Sequence, residues 1–219
     1  LGRSGLNART HRNSHTMLNR RTTLVTAGLA ATLALSACAP LLVGGAALSG
    51  ALMYSDRRTS GAQVEDQAIE FKAGPKIRSV LGERGHINVT SYNRMVLITG
   101  EVPADADRAT VEQAVASIEN VRSTVNETAV MGAASLTARS NDSIISGKVK
   151  AALVDDGEIQ ATAIKVVTER AVVYLMGRVT EREAAKASQV ASAVSGVSKV
   201  VRVFETITEA ELQAWQAKH

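Results

Sequence analysis

The sequence predicts an α+β fold of two tandem αββαβ units, each a three-stranded sheet covered by two helices, placed after a basic and then apolar leader. Three observations predict it: an apolar pattern that returns about 77 residues later, paired period-two runs that meet at polar residues, and period-three-and-four runs between them.

The elements follow in order. The leading helix of the first unit is marked by Ile77, Val80 and Leu81, set against Val149, Ala152 and Leu153 at an offset of 72. Pro75 has no N–H to donate and is expected to interrupt that helix. The hairpins are Ile87, Val89, Val96, Ile98, Gly100 and Val102 in the first unit and Ile164, Val166, Val173, Leu175, Gly177 and Val179 in the second, 77 apart. They are expected to turn at Asn93 and Arg94 and at Glu169 and Arg170. The change of offset from 72 to 77 implies five extra residues around Asp155, Asp156 and Gly157, in a loop. The second helices carry Val111, Ala114, Val115, Ile118 and Val121, then Ala187, Val190, Ala191, Val194 and Val197, an amphipathic spacing. Each ends toward a residue that takes the left-handed conformation readily, Asn120 or Gly196. Third strands follow through Val121–Val130 and Val197–Ile207.

Cys38 is the chain's single cysteine. It follows Leu35, Ser36 and Ala37 at the end of an uncharged stretch from Thr22, behind Arg20 and Arg21. That stretch is 14 residues long, short of the ~20 that span a bilayer. It resembles a lipobox, which makes Cys38 the lipidation site; the competing reading is a free cysteine in an uncleaved membrane helix, since apolar residues resume at Leu41. The resulting division is a leader and signal peptide over 1–37 with its start expected at Met17, and a lipidated N-terminus and flexible tether over 38–63. The first unit spans 64–131, a linker 132–140, the second unit 141–207, and a helical tail 208–219.

This division redistributes the charge. Residues 1–37 hold five arginines and no acid, so the chain from Cys38 on has 25 − 5 = 20 bases against 21 acids. The basic overall balance belongs to the leader, and no basic, aromatic-rich groove points to nucleic acid. Residues 64–130 carry 7 bases and 10 acids, and residues 139–207 carry 10 bases and 8 acids, so anionic lipid favours the second unit. No spaced His, Cys and carboxylate set marks a transition metal, and Asp155, Asp156 and Glu158 read as a solvated turn before a calcium loop. Neither a nucleophile elbow nor a phosphate loop is present, so no cofactor and no enzyme activity is expected.

The element order, the glycine closing each second strand, and a small-residue helix ending in Val194, Ser195, Gly196 and Val197 resemble the BON domain. Two copies behind a lipobox, with Asn141, Asp142 and Ser143 and the run Val179, Thr180, Glu181, Arg182, Glu183, Ala184, resemble the division- and outer-membrane-stress-associated lipid-binding lipoprotein family. The resemblance implies a non-enzymatic outer-membrane lipoprotein that faces the periplasm, binds phospholipid and supports envelope integrity. Ala39 stands in place of the aspartate that resembles an inner-membrane retention signal, which agrees with the outer membrane.

The sharpest candidate surface lies on the second unit's leading helix. On a wheel of ~100° per residue, Ile145, Val149, Ala152 and Leu153 form the inner stripe. Opposite lie Ile144, Gly147, Ala151 and Val154, flanked by Lys148 and Lys150, a pattern suited to shallow insertion among anionic headgroups. Two readings compete: this outer stripe meets lipid, or it packs against the first unit. At the matching positions the first unit has Lys72, Pro75, Ser79 and Gly82, a face not built to enter a membrane. The expected partners are therefore the membrane, through acylated Cys38, and anionic phospholipid. The alternative function is a protein adaptor that docks on outer-membrane assembly or cell-wall machinery.

Overall fold

Residues 56–218 are described in the computed structural model, so Met17 and Cys38 lie outside the described residues. The first unit consists of α1 (Ser60–Leu81), β1 (His86–Tyr92), β2 (Met95–Val102), α2 (Asp105–Ala116), β3 (Ser123–Asn126) and β4 (Ala129–Val130). The second consists of α3 (Leu136–Asp156), a short turn of 3-10 helix (Ala161–Ala163), β5 (Ile164–Glu169), β6 (Val172–Val179), α4 (Glu181–Ser192) and β7 (Lys199–Thr206). A terminal helix, α5 (Glu209–Gln216), is capped by Thr208 and Glu211 and buries Leu212.

Each sheet grows from a two-residue hairpin. Asn93 and Arg94 have φ of 50° and 65°, and Arg170 and Ala171 have 53° and 61°, the left-handed pair whose twist matches that of the flanking strands. The second turn therefore sits at Arg170 and Ala171, one residue later than expected, because Glu169 still pairs with Val172 in the ladder. Within each sheet the third strand returns parallel to the second after a helical crossover, β3 and β4 along β2 and β7 along β6. The first unit's third strand is broken after Asn126, whose Oδ1 accepts from the Thr128 N–H at 3.1 Å and the Thr128 hydroxyl at 2.6 Å.

The central strands are buried on both faces. Val96 and Ile98 of β2 pack with Ile69, Ala73 and Ile77 of α1 and Val111 and Val115 of α2. Val173 and Leu175 of β6 pack with Ile145, Val149 and Leu153 of α3 and Ala184, Ala187 and Ala191 of α4. The alternate residues Leu97, Tyr174 and Met176 join Tyr92 and Val203 in a third cluster, where sheet meets sheet. The result is four layers, helices, sheet, sheet, helices, with both sheets covered and nearly unbroken apolar central strands. Polar bonds lock the seam. Glu205 accepts from Asn93 Nδ2 at 2.7 Å, Arg122 Nη2 at 2.8 Å and Arg178 Nε at 3.1 Å, while Lys165 Nζ donates to Glu70 at 2.8 Å.

Four further sequence expectations are corrected. The leading helices align at an offset of 76, not 72: Ile69 matches Ile145, Ala73 matches Val149 and Ile77 matches Leu153, all buried. A shift of one helical turn lays one apolar stripe onto another, so periodicity alone does not separate the two registers. The five-residue insertion accordingly disappears, the offset growing only from 76 to 77, and Asp155 and Asp156 close α3 before Gly157. Pro75 does not interrupt its helix, since α1 runs unbroken from Ser60 to Leu81. The carbonyl one turn earlier, which loses its N–H partner, belongs to exposed Phe71 on the solvent side of the helix, where an unmade backbone bond costs least. Finally, the first unit's outer face is Ala68, Phe71, Pro75 and Arg78, with Phe71 82% exposed, in place of Lys72, Pro75, Ser79 and Gly82.

Candidate membrane-facing site

The outer stripe of α3 points away from the sheet. Ile144 is 56% and Val154 66% exposed, and Gly147, Lys148, Lys150 and Ala151 are exposed beside them. Ile145, Val149 and Leu153 fill the core beneath, and Ala152 is half-buried. Among the described residues the first unit does not cover this stripe, because the contact between units is made by the opposite faces of the two sheets. A helix apolar on both sides is here buried on one side only.

Beside the stripe lies a groove of about 440 Å³ lined by Ile144, Ile145 and Lys148 from α3, Arg170 and Ala171 from the hairpin, and Gly196 after α4. Its walls are built by two local devices. The Asp142 carboxylate accepts from the Arg170 N–H and the Ala171 N–H, both at 2.8 Å, so the side chain of α3 takes up the donors that a left-handed turn leaves unpaired. Gly196 has φ of 100°, and a Cβ there would stand 3.1 Å from Ile145 Cγ1, so a side chain would strain the loop where it closes on the helix. Arg170 and Lys148 give the opening a basic edge.

The first unit repeats the first device at higher connectivity. Asp66 accepts from the Ser91 hydroxyl, the Asn93 and Arg94 N–H groups and Arg58 Nη1, each at 2.7 Å. Burial by itself raises its carboxyl, but the bonds from Ser91, Arg94, Arg58 and Asn93 outweigh that and hold it below the ordinary carboxylate value. Sequence reasoning singled out Asp142 and named Arg170 only as a turn residue, but missed Asp66 and Ala171; the corrected offset of 76 between the two aspartates was the available signal.

No group of His, Cys, Asp and Glu able to hold a metal is present among the described residues. Of the acids near Gly157, Asp156 and Glu158 are paired with Lys186 Nζ at 3.3 and 3.2 Å, so a side-chain cation already occupies that loop. No described helix is long and apolar enough to cross a membrane.

The fold and its repeat define a BON-domain protein, the BON domain family being matched at residues 74–132 and again at 141–208. The chain belongs to the BON-domain family, with two copies of the domain, and its relatives include an outer membrane lipoprotein. It is 35% identical to the outer membrane lipoprotein DolP of Haemophilus influenzae over 179 residues, covering 81% of this chain and 92% of that protein. It is 32% identical to the 21 kDa hemolysin of Actinobacillus pleuropneumoniae over 154 residues, 69% and 79% of the two chains. The osmotically-inducible protein Y of Escherichia coli is 48% identical over 61 residues, 27% of this chain and 30% of that one. Among solved structures, the C-terminal domain of CdsD from Chlamydia trachomatis superposes with a TM-score of 0.27 at 11% identity, covering 62% of this chain and 97% of that one.

Proposed function

We propose that the chain is a non-enzymatic phospholipid-binding lipoprotein that supports envelope integrity, with anionic phospholipid bound by the second domain. Acylated Cys38 supplies the anchor. Ile144 and Val154 enter the headgroup region, Gly147 and Ala151 let the helix lie close, and Lys148 and Lys150 meet the phosphates. The observation that carries this reading is the exposure of Ile144 and Val154 together with both lysines, on a face that the first domain leaves uncovered. A groove edged by Lys148 and Arg170 stands next to it, wide enough to receive part of a lipid molecule.

The test is co-sedimentation of residues 39–219 with vesicles of phosphatidylglycerol mixed into phosphatidylcholine. Ile144→Asp with Val154→Asp is expected to abolish binding and to leave the melting temperature nearly unchanged, since both side chains are exposed. Unaltered binding by that variant, at any anionic fraction, defeats the proposal.

A further inference from the structure

Each domain carries an acid at the third position of its second helix, Asp107 in α2 and Glu183 in α4, 76 residues apart. In the first domain the loop after α1 supplies the partner: Arg84 Nη2 donates to Asp107 Oδ1 at 2.7 Å and Nη1 to Oδ2 at 3.1 Å. Seventy-six residues beyond Arg84 stands Gln160, which has no charge to offer. The guanidinium that Glu183 needs comes instead from outside the domain. Arg57 donates to Glu183 from both Nη1 and Nη2 at 2.7 Å, to the Arg178 carbonyl at 2.9 Å and to Gln160 Oε1 at 3.2 Å. Arg178 Nη1 returns a bond to the Arg57 carbonyl at 3.3 Å. Arg57 is 2% exposed, so this is a buried, two-pronged arginine–carboxylate pair, the geometry in which such pairs are strong and their breakage costly.

The neighbouring arginine turns the other way. Arg58 donates to Asp66 of the first domain and to Asp56, and its guanidinium lies 4.3 Å from the centre of the Tyr92 ring. Tyr92 in turn donates its hydroxyl to the Ala163 carbonyl of the second domain at 3.3 Å. Two adjacent side chains just ahead of α1 are thus seated on opposite sides of the seam.

We propose that residues 56–58 are a strap: the segment that leads into α1 fills an arginine socket that the second domain leaves open, fastening the start of the first domain to the second. Arg57 stands where the first domain uses its own Arg84, and Gln160 marks the vacancy.

Trypsin tests the strap, because an arginine held in the socket is withheld from the protease. In residues 39–219, Gln160→Arg gives the second domain its own guanidinium, which competes for Glu183; cleavage after Arg57, mapped by mass spectrometry, is expected to rise by about tenfold or more while the melting temperature holds. Arg57→Ala is expected to lower the melting temperature and to speed cleavage after Arg58. Combining it with Gln160→Arg is expected to restore the melting temperature and leave the Arg58 cleavage fast. The strap is overturned if Gln160→Arg leaves cleavage after Arg57 at the wild-type rate, or if the double variant melts no higher than Arg57→Ala. The Gln160→Arg arm keeps Glu183 paired and so stays informative even where Arg57→Ala does not fold.

Discussion

Replacing Asp66 by alanine measures what a buried carboxylate contributes to a left-handed hairpin turn, and the second domain provides its own control. Asp66 receives four hydrogen bonds at 2.7 Å, from Ser91, Asn93, Arg94 and Arg58, whereas Asp142 receives two at 2.8 Å, from Arg170 and Ala171. Hydrogen bonds to a charged group contribute about 1.5–3 kcal/mol each, though their losses do not add fully, and each donor left buried adds a desolvation penalty. Arg58 keeps Asp56 as a partner, which limits the loss on that side. The estimate is then about 4–5 kcal/mol for Asp66→Ala and about 2–3 kcal/mol for Asp142→Ala. At roughly 2–4 °C per kcal/mol for a body of this size, the melting temperatures fall by about 10–15 °C and 5–10 °C. Thermal unfolding of residues 39–219 followed by circular dichroism at pH 7 gives both numbers. Amide exchange should accelerate at Asn93 and Arg94 in the first variant and at Arg170 and Ala171 in the second. Equal losses for the two, or a loss under about 1 kcal/mol for Asp66→Ala, would show that water replaces the carboxylate and would refute the reasoning.

Acid should loosen the molecule at defined places. In Asp66, Glu183 and Glu205 burial raises the carboxyl, but hydrogen bonds from Ser91, from Arg57 and from Asn93 respectively, with their further partners, hold each below its ordinary value. A carboxyl depressed by folding adds stability above its unfolded pKa of about 4 and loses it as pH falls through the folded value; urea midpoints should therefore stay level from pH 8 to about 5.5 and drop steeply below about 4.5. Leu97→Ala, at a fully buried site between the sheets, should cost about 2–5 kcal/mol in urea unfolding. Gly196→Ala, at φ of 100° and against Ile145, should cost about 1–3 kcal/mol and weaken vesicle binding through the groove wall.

Local pattern carried most of the secondary structure into view. The hairpin strands and the amphipathic α2 and α4 were legible because alternation and three-and-four spacing report which side of an element is buried. What pattern did not settle was translation along a helix. Ile77, Val80 and Leu81 fit Val149, Ala152 and Leu153 as an apolar set, yet the contacts pair Ile77 with the place of Leu153. The same slip hid Phe71 on the outer face and left Asp66 without its counterpart Asp142. At the candidate site, Ile144, Gly147, Lys148, Lys150, Ala151 and Val154 were named from a helical wheel, and all six are exposed. That face stays clear of the first domain because the domains join at the third cluster, Tyr92, Leu97, Tyr174, Met176 and Val203, which no periodicity reports.

By itself the amino-acid order determined the twofold αββαβ plan, the family, and the stripes that each helix presents, because these follow from periodicity and from matches a fixed distance apart. Tertiary structure alone decided which stripe stays open and which residue answers which charge. Glu183 and Arg57 are 126 residues apart, and Asn93, Arg122 and Arg178 converge on Glu205 only once two sheets are stacked. No periodicity links such partners, since a buried charge is satisfied by whichever group the packing brings within about 3 Å, however far away it lies in the chain.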